Sequence, residues 1–385
     1  MNDKVRLADQ KPIPRPPARR LAFLAGFPPE YFSMVMATGI VSIAMDDDGW
    51  RVAARVLLWL NCAAFVALWA ISLARFVLYR ARFIEDLTHH SHSAAFLTTV
   101  AATCVLGSQF AMFGLWMSVA RFLWLLGIFL WIALIYTFFT VVTVRNPKPS
   151  LQAGINGVWL LTVVSTESIC VLGALIVPAS MRSEWILFPS LAFCLAGAAF
   201  YMFFITLILY RWMFFRMKAE KLTPDYWIDM GALAIVTLAL ALLLTVSGRW
   251  ELLTELAPFL KGFMLLFWST ATWWIPFLCI VEIWRHTYGK VPFAYSPDYW
   301  SLVFPLGMYS EATTTVAKTS SLAFLHPLAS VFSYLAAICW AVVFLGLLWN
   351  LTRKARSRRN QPKVWPPEMT AVKERKPPAI RRESP

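Results

Sequence analysis

Charge is scarce in this chain of 385 residues: only 15% are Asp, Glu, Lys or Arg, against about 25% in an average soluble domain. That scarcity argues against an ordinary soluble surface, and apolar and aromatic residues, 59% of the chain, fill the space it leaves. Paired cysteine spacings are also missing. Cys62, Cys104, Cys170, Cys194, Cys279 and Cys339 follow no zinc or redox interval and each falls in an apolar run, so they read as small packing residues. No GxxxxGK[ST] phosphate loop occurs, which argues against ATP as an energy source within the chain. No cofactor is expected.

Long apolar runs are what the chain has in abundance. Stretches of about 20 residues, the length that crosses a bilayer, recur near 30–48, 54–79, 93–115, 119–143, 155–177, 185–214, 229–248, 256–284, 298–317 and 327–350. The expected fold class is all-α integral membrane, with ten transmembrane helices in one domain, 22–350. Residues 1–21 and 351–385, rich in Pro, Lys and Arg, read as disordered basic tails. Arg19 and Arg20 form a twin arginine, but no cleavable apolar segment follows, so an export signal is not expected. Most of the 35 Lys and Arg fall in the two tails and the loops after even-numbered spans. The positive-inside rule then places both termini in the cytoplasm and the chain in the cell (inner) membrane. The net charge of +14 is accounted for by topology and anionic lipid, without a nucleic-acid partner.

One motif recurs. Pro29-Glu30-Tyr31-Phe32, Pro224-Asp225-Tyr226-Trp227 and Pro297-Asp298-Tyr299-Trp300 open the first, seventh and ninth spans. Each sets Pro at a helix start, an acid near the positive end of the helix dipole, and aromatics at the interface. Their spacing predicts two degenerate copies near 94 and 159, where "SHSAAF" and "GINGVW" stand. The simplest account is five helical hairpins repeated in the same direction.

Polar residues concentrate in the odd spans, whereas the even spans are dominated by Leu, Val, Phe and Trp. Bulky apolar groups suit lipid and polar groups suit a bundle interior. The expected arrangement is an inner ring of five odd helices around a pore and an outer ring of five even ones. Thr38, Thr99, Thr103, Thr166 and Tyr309 are the expected pore-lining hydroxyls; cementing of helix packing is the competing role for each. Glu167 and Glu311 lie deep in spans five and nine, where an unpaired charge costs several kcal/mol. Each is a candidate proton-coupling carboxylate, Glu167 the stronger, with simple pairing as the alternative. Arg121 and Lys318 read as snorkelling anchors. His89, His90 and His92 form the one metal-like cluster, but without a carboxylate or thiol at ligand spacing they read as an interfacial polar turn.

With "PPEYFSMVMATGIVSIA" in the first span and "WSLVFPLGMYSEAT" in the ninth, residues 22–350 resemble the tellurite-resistance/dicarboxylate transporter family. That family includes malate permeases, sulfite efflux pumps, tellurite-resistance proteins and plant slow anion channels. The resemblance implies a homotrimer with one five-helix pore per protomer, occluded by the phenylalanine before the ninth-span proline, here Phe304 before Pro305. Gly39, Gly157 and Gly307 would then keep the bore open. The motifs resemble the malate-permease and bacterial branch more than the plant channels. The expected function is a permease for small anions, C4-dicarboxylates such as malate first, rather than an enzyme. A gated anion channel and a sulfite or tellurite efflux protein are the alternatives within transport, and a polytopic membrane enzyme the alternative outside it.

Overall fold

Pro29, Pro224 and Pro297 each begin a 3-10 turn, a position where proline's missing N–H leaves no helical bond unmade. The degenerate copies take the same shape: Ser93–Leu97 and Gly157–Leu160 are 3-10 turns as well. All five turns run directly into α-helices, and they touch one another in a closed ring that forms one rim of the molecule. Thr223 donates to the Asp225 carboxylate at 3.2 Å and Ser296 to the Asp298 carboxylate at 3.0 Å, so two copies share their local hydrogen bond too.

A computed structural model describes residues 22–177 and 183–360. Its long helices are α1 (Phe32–Asp47), α2 (Arg51–Leu78), α3 (Thr98–Met112), α4 (Met117–Val144), α5 (Leu161–Leu175), α6 (Glu184–Phe214), α7 (Ile228–Thr245), α8 (Glu251–Thr287), α9 (Trp300–Ser320) and α10 (His326–Asn360). Gly49, at φ +86°, and Gly114, at φ +64°, turn the chain from α1 into α2 and from α3 into α4 in the left-handed conformation that glycine adopts freely. The N-terminal tail, with Arg19 and Arg20, lies outside the described residues, as does 361–385. α10 runs to Asn360, so the first ten residues of the expected C-terminal tail are helix.

Eight of the helical segments are long and apolar enough to cross a membrane. α1 and α9 are not among them. α1 with its 3-10 turn runs from Pro29 to Asp47, and Glu30 near one end and Asp46 and Asp47 at the other lower its apolarity. α9 has 21 residues, but its Ser, Thr, Glu and Lys lower its apolarity. Neither needs the composition of a lone span, because both are enclosed. α1 packs on α3, α3 on α5, α5 on α7, α7 on α9, and α9 back on α1, closing a ring. Each of the other five packs outside this ring, chiefly on the inner helix before it in the chain and also on the inner helix after it, α10 closing back on α1. The inner helices are buried nearly all round and the outer ones expose long apolar stripes, as a helix sandwiched by protein and a helix facing lipid should.

Every outer helix is tied across to the next inner segment by a polar bond. Asn61 of α2 donates to Gln109 at 2.6 Å. Trp131 of α4 donates to Thr166 at 2.8 Å, Trp268 of α8 to Thr313 at 3.0 Å, and Trp340 of α10 to Thr38 at 2.9 Å. Arg211 of α6 donates to the hydroxyl of Tyr226, in the turn before α7. Such bonds average about 0.6 kcal/mol inside membrane proteins, so they orient the rings more than they hold them together.

Candidate functional site

All five inner helices contribute to one narrow axial cavity of about 20 Å³, room for about one water. Each helix offers the same pair of positions at an interval of three: Ile40 and Ile43, Val105 and Ser108, Ser168 and Val171, Ile235 and Leu238, Met308 and Glu311. Residues three and four apart share a helix face, so the cavity sits where five equivalent faces meet. Met112, Leu175 and Leu242 line it one turn further from the 3-10 rim. Its wall is apolar apart from Ser108, Ser168 and Glu311.

Phe304 lies four residues before Met308 and seven before Glu311, hence on the cavity face of α9, one turn nearer the rim. It is 1% exposed. The equivalent positions on the other helices are Met36, Ala101, Val164 and Gly231, so Phe304 is the one aromatic among these five positions. Pro305, which follows it, lies inside α9 and removes a backbone hydrogen bond there, a known source of helix bending.

Of the two deep carboxylates, Glu311 lines the cavity and accepts a long hydrogen bond from Thr315 at 3.4 Å. Beyond it, at the far end of the ring, Lys318 pairs with Asp47 at 2.9 Å and ties α9 to α1. Lys318 is therefore engaged within the protein and is not only an interfacial anchor; Arg121 is exposed at the start of α4. Glu167, the carboxylate ranked first from sequence, is directed elsewhere. A Cβ on Gly197 of α6 would lie 2.3 Å from its Oε1, so its side chain fills the seam between α5 and the outer helix α6, away from the cavity.

None of the five expected hydroxyls lines the axial cavity. Thr38 and Thr166 accept from outer-ring tryptophans. Thr103 donates to the Thr99 carbonyl at 2.7 Å, and Thr99 lines a separate lateral pocket with Trp69 of α2 and Leu130 of α4. Tyr309 shares a 2.7 Å hydrogen bond with Thr272 of α8 and meets Phe332 of α10 edge-on, so it too faces the outer ring. The expected glycines serve close helix contacts rather than bore width. A Cβ at Gly39 would come 2.4 Å from Val105, at Gly157 2.5 Å from the Asp225 carbonyl, and at Gly307 2.8 Å from Ile40. Each is filled by a neighbour in the ring.

The histidines do not converge. His89 and His92 pack ring on ring at 4.5 Å, while His90 packs on Trp159 at 5.4 Å. Burial lowers the affinity of His89 and His90 for a proton, and the neighbouring His92 and Arg145, or His89 and Lys148, lower it further.

The sequence reading passed over Asp229. It lies on the first turn of α7, is wholly buried, and neither of its carboxylate oxygens has a hydrogen-bond partner among the described residues. Its signal was present: an acid at the start of the seventh apolar run, one turn beyond Asp225. The apolar stripe that lines the cavity was legible as an i, i+3, i+7 pattern but is masked by the equally apolar residues around it.

An all-helical chain whose long apolar helices enclose an axial cavity is a membrane protein of the transporter or channel class. Residues 26–348 match the family model for SLAC1, voltage-dependent anion channel, and the chain belongs to that family. An uncharacterized transporter of Methanocaldococcus jannaschii is 24% identical over 85% of this chain and 94% of its own length. The sulfite efflux pump SSU1 of Arthroderma otae is 26% identical over 83% of this chain and 90% of its own. An uncharacterized membrane protein of Mycobacterium tuberculosis is 30% identical over 38% of this chain and 74% of its own.

Proposed function

We propose that this protein is a permease for small anions, which pass along the axis of α1, α3, α5, α7 and α9 with Phe304 as the gate. The observation that carries the proposal is the cavity to which all five inner helices contribute equivalent positions, with a lone aromatic one turn below it. A rotamer change of the Phe304 ring would lengthen the cavity by one turn toward the rim. Ten spans in five same-direction hairpins, with the 3-10 rim and both termini in the cytoplasm, complete this reading. Assembly as a homotrimer, each protomer with its own path, belongs to it too.

Between the candidate substrates, the narrow apolar bore and the likeness to sulfite efflux pumps over most of the chain favour a compact oxyanion of sulfite size over a C4-dicarboxylate such as malate. The narrow bore selects for a compact anion, and its apolar wall, with few hydrogen bonds to exchange for hydration, favours a singly charged form over a dianion. The test is flux of sulfite, malate and chloride in proteoliposomes, with and without a pH gradient, for wild type and Phe304→Ala. Sulfite flux that rises in Phe304→Ala supports the proposal. Saturable, pH-driven malate uptake that exceeds sulfite flux would return the dicarboxylates to first place. No flux of any anion in either protein would overturn the transport reading.

A further inference from the structure

We propose that Glu167, Cys170 and Cys194 form a binding site for one thiophilic metal cation, Zn²⁺ by preference, in the seam between α5 and α6. One ligand atom from each of the three side chains lies within 4.8 Å of the other two, and all three residues are buried. Glu167 and Cys170 are three apart and so share one face of α5. Cys194 meets them from α6, and Gly197, three residues on, leaves the volume that the Glu167 carboxylate occupies, because a Cβ there would lie 2.3 Å from Oε1.

The carboxylate is what points to a ligand. Glu167 is 0% exposed, and neither of its oxygens has a hydrogen-bond partner of ordinary geometry among the described residues, the Cys194 thiol and the Ala198 backbone being its polar neighbours. Buried polar groups are almost always partnered, and inside a membrane protein an unpartnered carboxyl is costly. The remaining cysteines form no such group with acids or histidines among the described residues. The donor set also fits the ion. Thiolates select Zn²⁺ and Cu⁺ over hard cations, a carboxylate oxygen suits Zn²⁺, and three protein ligands leave one position of a tetrahedron open. On binding, both thiols and the Glu167 carboxyl lose their protons to solvent and form two sulfur–metal bonds and one oxygen–metal bond, with no change of oxidation state. Zn²⁺ with two thiolates and the Glu167 carboxylate carries a net charge of −1, spread over four groups rather than held on one isolated ion in a water-poor seam. Such an ion would bind an inner helix to an outer one, a structural role separate from the axial path.

The experiment uses the full chain expressed in zinc-supplemented and, separately, cobalt-supplemented cells, purified in detergent without chelator, with metal counted by mass spectrometry. The expected result is about one zinc per chain, reduced at least about ten-fold in Cys170→Ser/Cys194→Ser and unchanged in Cys104→Ser, a buried cysteine outside the site. Cobalt-grown wild type is expected to show thiolate-to-cobalt charge-transfer absorption. Because that spectrum needs no variant, the proposal stays testable if the double variant does not fold. Wild type that carries no more zinc than background and shows no thiolate-to-cobalt absorption overturns the proposal.

Discussion

Gly231 of α7 and Pro305 of α9 meet where a side chain is missing: a Cβ at position 231 would lie 2.6 Å from Pro305 Cγ and 3.2 Å from its Cα. The rigid proline ring cannot swing aside as a longer side chain would. The residue next to it is Phe304, so the closeness of this one contact sets how far the proposed gate projects toward the axis.

Gly231→Ala is therefore expected to destabilise the protein. In an ordinary helix the change would gain about 0.5–1 kcal/mol, but overpacking a close contact costs about 1–3 kcal/mol, and the second effect wins. A lower melting temperature in detergent, with altered anion flux because α9 moves outward, is the expected outcome. A more stable variant with unchanged flux would show that the contact yields freely.

Glu311→Gln should raise anion flux. Among the described cavity residues Glu311 is the one acid, and a like charge about 8 Å away at an effective dielectric of about 20 opposes an anion by about 2 kcal/mol. Relieving that repulsion corresponds to about thirty-fold in rate. Flux in proteoliposomes at alkaline pH, where the buried carboxyl is ionised, measures it. A fall in flux would instead make the carboxyl part of the transport chemistry.

Thr38→Val tests whether that hydroxyl serves packing or passage. It accepts the indole N–H of Trp340, so its loss is expected to cost about 0.6 to 1.7 kcal/mol of stability and to leave anion flux within about two-fold. A double-mutant cycle with Trp340→Phe should show most of that cost as a coupling energy. Loss of flux with unchanged stability would return Thr38 to the path.

Acidification should loosen the loop before α3. The folded state holds His89 and His90 below the ordinary imidazole value of 6.5, chiefly by burial and then by nearby cations. The unfolded chain thus takes up protons first, so the contribution of these residues to stability is complete above about 6.5 and declines as pH falls below it. Side-chain NMR titration of both histidines, with midpoints below 6.5, is the check. Midpoints above that value would mean a carboxylate partner dominates.

The seam cysteines show why the sequence was only partly readable. Cys170 and Cys194 stand 24 positions apart, at no metal-ligand interval, and each alone looks like a packing residue. What joins them is the approach of α6 to α5 across Gly197. The same holds for Glu167 and Glu311. Both are acids deep in apolar runs, and only rotation about each helix axis tells that one meets the cavity and the other an outer helix. Thr38 and Thr166 sit in polar-rich helices, so their hydroxyls looked inward; outer-ring tryptophans claim them instead.

The sequence by itself determined that the chain is an all-helical membrane protein, because apolar length and scarce charge leave no other stable state in lipid. It also determined where the inner helices begin, because proline, an acid and aromatics at fixed spacing mark a helix start locally. Only the tertiary structure decided which face of each inner helix meets the axis. A helix buried all round carries apolar and small polar residues on every side, so its periodicity gives no direction, and the direction is set by five neighbours that close on one another across nearly the whole chain.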